Sequence, residues 1–448
     1  MLGGEPGSAR SDGLEVMVAT YLKQGSPPGS QITDEVRQTV SRIIADVASE
    51  GLAAVRRYSE MFDKWSPPSF RVDDATIARA RDEMQDDVAH SARFLIDQVT
   101  NFARLQRETL VDFETETLPG VFLGQKWIPV SRVGAYSPGG GYPLIASAVM
   151  TVATAKVAGV REVLAAAPPK DEGGMHGPQL WAMVESGADE IFCVGGVQAL
   201  AGLAFGLEGS DPVDMLVGPG NAYVAEAKRQ LFGSVGIDLL AGPTEIMIIA
   251  DDTADPGVLA CDLLGQAEHG PTSPAILACT SDEVAKATIR EVDRWLETWP
   301  TADVAGQAWR DYGTVIVCED ESELVRVANE IAPEHLEVQT ARPEEIARLL
   351  HNYGSLFVGT EATVAYSDKA IGTNHTLPTV GAARYTGGLW VGKFLKTVTT
   401  QRCTPEGSFH VAEHAAVVAD AELMYGHAIS ARLRRNPEYF ADATEWSE

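Results

Sequence analysis

Residues 237–270 read IDLLAGPTEIMIIADDTADPGVLACDLLGQAEHG, a pattern that indicates an α/β unit. The segment 246–250 is wholly apolar, which is typical of a strand buried on both faces of a parallel sheet. Asp255 and Pro256 follow it, and these residue types favour the N-cap and the first position of a helix. The stretch therefore predicts a glycine turn, a buried strand and a helix that ends at Gly270.

The end of this predicted helix carries two polar side chains that are three positions apart, Gln266 and His269. Residues at this spacing project from one side of a helix, so that an amide oxygen and an imidazole converge. Such a pair can supply half of a metal site. A histidine in a last helical turn also interacts favourably with the helix dipole, and this stretch alone leaves both interpretations open.

Length and composition indicate a large globular protein. The 448 residues suggest about three domains, and 45% of them are apolar. An excess of 63 acidic over 35 basic residues gives a net charge of −28, which argues against nucleic acid and anionic membranes as partners. The five cysteines form no CxxC motif, so neither a disulfide framework nor a thiolate zinc site is indicated. No signal-like or membrane-spanning apolar stretch is evident, and we expect a cytoplasmic protein.

Short apolar strands alternate with helical segments along most of the chain, which predicts parallel α/β sheets. Three glycine turns, at 138–141, 195–196 and 218–221, follow predicted strands. Ligands bind to parallel sheets at the carboxyl ends of strands, where such turns lie. The GxGxxG fingerprint is absent, so the turns are consistent either with a nucleotide site or with ordinary strand–helix connections.

These patterns predict an α/β protein with two Rossmann-like domains. Residues 1–31, rich in Gly, Ser and Pro, are predicted to form an N-terminal arm. Residues 32–132, mainly helical, are predicted to join residues 242–388 in a first, discontinuous α/β domain. Residues 133–241 are predicted to form the second domain, and residues 389–448 a helical C-terminal tail.

Four of the nine histidines lie in polar or glycine-flanked contexts: His269, His335, His375 and His427. Oxygen and imidazole donors without thiolate suit Zn²⁺, Mn²⁺ or Co²⁺, and zinc is the commonest of these in catalytic sites. The adjacent pair Glu334–His335 could combine a water-activating carboxylate with a proton-abstracting imidazole. A helix end with an exposed Glu and a capping His is the alternative interpretation of that pair.

Eight motifs resemble, in order, those of the histidinol dehydrogenase family. They are VGAYSPGG, AKVAGV, VDMLVGPGNAYVAEAKRQLFG, AGPTE, LLGQAEHG, APEHLE, GTNHTLPT and a final Glu422 and His427 five residues apart. The resemblance extends from about residue 120 to the C-terminus and is weaker before it. It implies an NAD-dependent, zinc-dependent dehydrogenase of the EC 1.1.1 type, which oxidises a primary alcohol through an aldehyde to a carboxylate.

The resemblance also implies an intertwined homodimer, joined through the tail at 389–448, and NAD⁺ binding by residues 133–241. One Zn²⁺ per subunit would be held by Gln266, His269, Asp368 and, across the dimer interface, His427. Glu334 and His335 correspond to the catalytic pair, and Tyr136, Gln198 and Asn221 to cofactor contacts. The implied substrate contacts are Thr244, Gln266, His269, His335, Asp368, Glu422 and His427.

Three departures from the usual family pattern concern the substrate. Thr244 replaces the usual serine, residues 144–147 read LIAS, and residues 384–397 read RYTGGLWVGKFLKT. Residues 384–397, with FDKWSPPSF near residue 62 and GGGYPLIASAVMTVATAKVAGV, resemble the sulfopropanediol dehydrogenase branch, which implies oxidation of 2,3-dihydroxypropane-1-sulfonate to sulfolactate. A sulfonate is bound by cations or by oriented N–H donors, and the candidate cations are Arg384, Lys393, Lys396 and Lys369. Histidinol is the alternative substrate, and a non-catalytic small-molecule binding protein is a remote alternative. Spacing alone distinguishes neither NAD from NADP nor zinc from manganese or cobalt.

Overall fold

A computed structural model describes residues 19–26, 32–139, 142–240 and 242–438. The strands are β1 Thr20–Lys23, β2 Phe113–Leu118, β3 Val121–Pro129, β4 Arg132–Tyr136, β5 Glu162–Ala167, β6 Glu190–Cys193, β7 Met215–Val217, β8 Gly236–Ile237, β9 Ile246–Ala250, β10 Ala275–Cys279, β11 Thr314–Val317, β12 His335–Gln339, β13 Ser355–Val358 and β14 Leu395–Cys403.

Helices connect most of these strands. They are α1 Asp34–Glu50, α2 Leu52–Asp63, α3 Asp74–Asp82, α4 Asp86–Glu108, α5 Ile145–Ala158, α6 Gly177–Glu185, α7 Gly196–Phe205, α8 Ala222–Leu231, α9 Pro256–Ala267, α10 Asp282–Leu296, α11 Ala302–Tyr312, α12 Glu321–Ile331, α13 Pro343–Ala347, α14 Val364–Lys369, α15 Pro405–Ala421 and α16 Tyr425–Arg435. Two short 3₁₀ turns lie at Ala382–Arg384 and Val391–Phe394.

The first sheet has six strands in the order β1-β11-β10-β9-β12-β13. Five of its strands, β9 to β13, are parallel to one another. Strand β1, from the predicted N-terminal arm, pairs with β11 at one edge and is antiparallel. Strand β9 is buried at every residue, as its apolar sequence predicts. Asp255 caps α9 and Pro256 begins it, also as predicted. The helix ends at Ala267 rather than Gly270, because the His269 N–H turns back to the Gln266 carbonyl.

The second sheet has five parallel strands in the order β6-β5-β4-β7-β8. The chain extends from β4 through β5 to β6 on one side, and then returns to place β7 and β8 on the other. The strand order therefore reverses between β4 and β7, which opens a crevice at their carboxyl ends. The predicted α/β class with two parallel sheets is confirmed.

The N-terminal helices pack against the second sheet. The apolar stripe of α1, which includes Val40 and Ile43, shares a core with Leu200 and Leu203 of α7. Helix α4 packs in the same way against α5. This packing differs from the predicted grouping of residues 32–132 with residues 242–388. An amphipathic pattern shows which face of a helix is buried but not which sheet covers it.

A third sheet, antiparallel and in the order β14-β3-β2, is absent from the sequence prediction. Every residue of β2 is exposed, and its sequence FETETL lacks the apolar alternation by which strands are recognised. The tail therefore begins with a strand, β14, which the prediction of a helical tail did not include. Helices α15 and α16 follow and pack on each other through Ala416, Ala419 and Ala428. Within the described ranges, no helix is long and apolar enough to cross a membrane.

Candidate active site

A cleft of about 1010 Å³ lies between the first and second sheets. Most of the residues predicted to take part in catalysis or binding line this cleft: Tyr136, Gln198, Asn221, Thr244, Glu334, His335, His269 and Asp368. On the second sheet these residues lie at or after the carboxyl ends of strands, as expected. On the first sheet they lie at the opposite edge, because Thr244 precedes β9 and His335 is the first residue of β12. On the wall formed by the second sheet, α7 and α8 therefore direct their N-termini toward the cleft. On the wall formed by the first sheet, α9 directs its C-terminus toward it.

The Glu334–His335 pair follows a sharp helix end. Ala332 adopts a left-handed conformation with φ of 53° directly after α12, and Pro333 cannot continue the helix. Glu334 is then only 4% exposed. Its Oε2 accepts hydrogen bonds from the Thr244 hydroxyl at 2.6 Å and from the Glu245 N–H at 2.8 Å. The carboxylate is thus held in one orientation, and the alternative of an exposed Glu at a helix end does not apply.

His335 presents an unpaired ring nitrogen in a buried position. Its Nδ1 lies 2.9 Å from the Glu245 carbonyl oxygen. Because a carbonyl oxygen only accepts, Nδ1 carries the proton and donates it. Nε2 has no hydrogen-bond partner among the described residues, and the side chain is 3% exposed. Burial lowers the pKa of His335, but the charge and hydrogen bond of Glu334 outweigh it and raise this pKa to about 9.

Gln266, His269 and Asp368 converge next to this pair. The Gln266 Nε2 donates to the Thr244 hydroxyl at 2.5 Å and lies 3.3 Å from the His335 Nδ1. The His269 Nε2 lies 3.9 Å from the Asp368 Oδ2. The other carboxylate oxygen, Oδ1 of Asp368, is buried and has no hydrogen-bond partner among the described residues.

The charge states of these groups fit a divalent cation. Burial lowers the pKa of His269, which favours the neutral imidazole. Burial raises the pKa of Asp368, but His375, His335 and Lys369 outweigh it, so this pKa is lowered and the carboxylate is ionised. A neutral imidazole and a carboxylate are the forms that bind metals. The C-terminal end of α9 also favours a positive charge at this point. Even so, the described part of one chain contains no metal-binding group of three His, Cys, Asp or Glu side chains.

His375 lies behind Asp368, although the sequence assigned it no role. Its Nε2 is hydrogen-bonded to the Ser147 hydroxyl at 2.7 Å, and its Nδ1 is 3.8 Å from the Asp368 Oδ1. Burial lowers the pKa of His375 to about 4, so the ring is neutral. The polar sequence around His375, GTNHT, had placed it among the four candidate histidines. No sequence signal pointed to the Glu245 backbone, which anchors both members of the catalytic pair.

The second wall is built from the glycine turns. The Tyr136 hydroxyl accepts a hydrogen bond from the Gly196 N–H at 3.2 Å, at the start of α7. The Gln198 Nε2 donates to the Asp63 Oδ2 at 3.1 Å. The Asn221 side chain caps α8 by accepting from its first N–H groups. The three predicted cofactor contacts therefore surround two helix N-termini, which attract anions.

A buried ion pair holds the turn at 218–221. Lys228 and Asp238 form this pair, and both side chains are almost fully buried. The Lys228 ammonium also donates to the Gly218 carbonyl at 3.0 Å, and Asp238 accepts from the Gly218 N–H at 2.7 Å. Gly218 has φ of +120°, and a Cβ there would lie 1.9 Å from the Tyr136 carbonyl oxygen. Only glycine allows this approach of the two strands.

Three predicted site residues do not line the cleft of a single chain. Gln266 contacts two residues that do, Thr244 and His335. Glu422 follows α15, His427 lies in the first turn of α16, and both are exposed. Of the four predicted cations, only Lys369 lines the cleft. Lys393 donates to Thr386, Arg384 donates to the Glu330 carbonyl, and Lys396 is exposed on β14.

A cleft between two parallel sheets, with glycine turns on one wall and a carboxylate–imidazole pair on the other, is typical of two-domain oxidoreductases. The model of the histidinol dehydrogenase family matches residues 28–435, and the chain belongs to this family. It is 52% identical over 420 residues to a histidinol dehydrogenase homolog of Shouchella clausii, covering 93% of this chain and 99% of that one. It is 45% identical over 436 residues to the sulfopropanediol 3-dehydrogenase of Ruegeria pomeroyi, covering 96% and 98%. The crystal structure of histidinol dehydrogenase from Elizabethkingia anophelis superposes with a TM-score of 0.86 at 31% identity, covering 91% and 94%.

Proposed function

We propose that the protein is a zinc-dependent, NAD⁺-dependent dehydrogenase that oxidises a primary alcohol through an aldehyde to a carboxylate. The observation that carries this proposal is the buried, unpaired Nε2 of His335, on a ring whose Nδ1 lies 3.4 Å from the fixed carboxylate of Glu334. Each of the two steps transfers one hydride, so one alcohol molecule reduces two molecules of NAD⁺.

His335 acts as the general base of the alcohol step. Its Nδ1 proton is held by the Glu245 carbonyl, and a pKa of about 9 means that without a metal ion Nε2 is protonated as well. A cation held by His269 and Asp368 would lower this pKa by repulsion and leave Nε2 free to accept the hydroxyl proton. A positioned proton-transfer group of this kind contributes roughly 10²–10⁴ in rate. The carbon that bears the hydroxyl then transfers a hydride to the nicotinamide.

Glu334 acts in the aldehyde step, which requires water. Its carboxylate accepts a proton from water as the water oxygen adds to the aldehyde carbon. The hydrate formed in this way loses a second hydride to NAD⁺ and a proton to His335, and the product is the carboxylate. Thr244 and the Glu245 N–H keep the Glu334 carboxylate at the cleft wall during both steps.

Gln266, His269 and Asp368 would hold the zinc ion, with His427 contributed by the second subunit. When bound, the ion supplies Lewis-acid polarisation of the substrate oxygen. A homodimer is supported by the tail, where α15, α16 and the turn between them expose Val417, Leu423 and Tyr425 at 64%, 71% and 56%. Apolar side chains at this exposure are typical of a surface that another copy covers. Glu422, next to this surface, would contact the substrate from the same subunit as His427.

NAD⁺ would occupy the second wall of the cleft, in the domain formed by residues 133–241. Tyr136, Gln198 and Asn221 line this wall, and the dipoles of α7 and α8 favour the negative charge of the pyrophosphate at their N-terminal ends. The two walls thus favour charges of opposite sign. Helix N-termini favour the anionic cofactor, and the C-terminus of α9 favours the cation.

The substrate we propose is 2,3-dihydroxypropane-1-sulfonate, with sulfolactate as the product. Two observations support it: the 45% identity to the Ruegeria pomeroyi sulfopropanediol 3-dehydrogenase, and Lys369 at the cleft wall. The Lys369 side chain is 55% exposed and can meet a sulfonate through its ammonium group. L-Histidinol is the second candidate, because the similar structure from Elizabethkingia anophelis is a histidinol dehydrogenase.

A substrate panel tests this proposal. Purified protein loaded with zinc is supplied with NAD⁺ and either alcohol, and NADH absorbance is followed to completion. We expect two NADH per molecule of the sulfonated diol and a much lower rate with L-histidinol. Turnover of L-histidinol with none of the diol would reverse the order of the two substrates. No NADH from either alcohol, together with no retained zinc, would favour the non-catalytic binding protein.

A further inference from the structure

One carboxylate in the cleft has no place in the oxidation described above. Asp63 is the last residue of α2 and lines the cleft on the side of the second sheet. Its Oδ2 accepts a hydrogen bond from the Gln198 amide at 3.1 Å. Within the described ranges Asp63 forms no ion pair with a lysine or arginine, although it is partly buried. Burial accordingly raises the pKa of Asp63 above its usual range.

Rossmann-type domains commonly bind the ribose of the cofactor through an acid at the end of their second strand. In this chain the second strand of that domain is β5, which ends at Ala167 and is followed by Pro168 and Pro169. Pro168 itself lines the cleft, so the usual acid is replaced by a residue whose side chain has no hydrogen-bonding group. An acid for the ribose would have to come from another element.

Asp63 is positioned to take that role. The other carboxylates that line the cleft are Glu268, Glu334 and Asp368, which lie with the alcohol-oxidising groups of the first sheet. The nicotinamide must reach that group of residues to receive the hydride. The adenosine half of the dinucleotide is then directed toward the wall formed by the second sheet and the N-terminal helices. Asp63 is the carboxylate on that wall, and Gln198 holds its side chain.

The charge on this wall also distinguishes NAD⁺ from NADP⁺. Lys369 is the one lysine or arginine among the described residues that line the cleft. Its ammonium lies 3.7 Å from the Asp368 Oδ2, at the opposite wall. A phosphate on the ribose would therefore face the Asp63 carboxylate with no cation to compensate the repulsion.

We propose that Asp63 binds the hydroxyl groups of the adenosine ribose and excludes the 2′-phosphate of NADP⁺. The proposal rests on the proposed function, since it requires a dinucleotide in the cleft. It supplies a specificity-determining residue from α2, outside the parallel sheet that binds the rest of the cofactor.

Asp63→Asn and Asp63→Ser test the proposal through the ratio of kcat/KM for NAD⁺ to kcat/KM for NADP⁺. Asp63→Asn keeps the shape and removes the charge, and Asp63→Ser also makes room for a phosphate. We expect Asp63→Ser to lower kcat/KM for NAD⁺ by about tenfold to a hundredfold and to raise it for NADP⁺. Glu60→Gln is the matched control, because it removes the same charge from an exposed position of α2. A ratio unchanged from the parent protein in both variants would overturn the proposal.

Direct binding separates this inference from the substrate assignment. NADH and NADPH are titrated by fluorescence against the parent protein and Asp63→Asn, with no alcohol present. Preferential NADH binding that Asp63→Asn diminishes supports the role of Asp63 even if neither alcohol is oxidised. Equal binding of NADH and NADPH by the parent protein overturns it, whatever the substrate is. Thermal denaturation of each variant checks folding, and the isosteric Asn variant supplies the measurement if the Ser variant unfolds.

Discussion

The hydroxyl of Thr244 donates to Glu334 at 2.6 Å and accepts from Gln266 at 2.5 Å. A single side chain therefore joins the carboxylate proposed to activate water to the amide proposed to bind zinc. Thr244 is 90 positions from Glu334 in sequence, and the two meet because β9 and β12 are adjacent parallel strands.

Thr244→Val should disturb both groups, whereas Thr244→Ser should disturb neither. Valine keeps the shape but can neither donate nor accept, so that Glu334 loses a charge-assisted hydrogen bond. Such a bond contributes about 1.5–3 kcal/mol, and we expect kcat to fall by about tenfold to a hundredfold. Steady-state rates with the aldehyde intermediate measure the effect. A valine variant as active as the serine variant would contradict the role of this contact.

Glu334→Gln should slow the aldehyde step more than the alcohol step. The amide keeps the hydrogen bond from the Glu245 N–H, but it cannot accept a proton from water. Single-turnover absorbance with each substrate separates the two steps, and we expect a loss of roughly 10²–10⁴ in the second. Equal slowing of both steps would show that Glu334 has another role.

His427→Ala and His335→Ala subunits should complement each other if the fourth zinc ligand crosses between chains. Each variant alone should be nearly inactive, and His427→Ala should also lose zinc. In a mixed dimer one of the two sites is intact, so random exchange restores about a quarter of the parent activity. Subunit exchange is verified by mass spectrometry. Absence of rescue after verified exchange would place His427 in its own chain's site.

Lys369→Gln should weaken the binding of an anionic substrate. If the ammonium meets the sulfonate, KM for the sulfonated diol should rise by about tenfold, with a smaller change in kcat. Lys396→Gln is the control, because that lysine is exposed on β14 and does not line the cleft. Equal KM values for both variants would remove Lys369 from the substrate site.

Glu337 should make the folded state less stable as pH rises. Glu337 and Asp262 both accept from the Gln339 amide, at 2.9 and 3.1 Å, with no cation within ion-pair distance among the described residues. Burial first, and then the charge of Asp262, raise the pKa of Glu337 to about 8 from 4.5. The folded state thus holds a proton that the unfolded state releases, and its stabilising effect is lost as pH rises from about 4.5 to about 8.

Glu337→Gln should remove this loss of folded-state stability at higher pH. We expect the variant to gain on the order of 1–3 kcal/mol relative to the parent protein between pH 5 and pH 8. Urea denaturation at the two pH values measures the difference. Glu60→Gln, at an exposed position of α2, should show no such change. A parallel dependence on pH in parent and Glu337→Gln would mean that Glu337 is ionised in the folded state.

Elements that local patterns determine were predicted from the sequence. Strand β9, the Asp255 cap of α9 and the alternation of strands and helices all depend on residues a few positions apart. The exposed strand β2 was not predicted, because its polar residues carry no periodicity. The partner of α1 was not predicted either, because an apolar stripe fits any apolar surface.

The sequence by itself determined the parallel α/β class, the adjacency of Glu334 and His335, and membership of a family recognisable from its motifs. Only the tertiary structure decided which nitrogen of His335 meets the Glu245 carbonyl and which is left without a partner, which edge of the first sheet lines the cleft, and which of four cations reaches it. Secondary structure follows from neighbours in sequence. The state of a buried side chain instead follows from the atoms around it, and residues up to about 90 positions away supply those atoms.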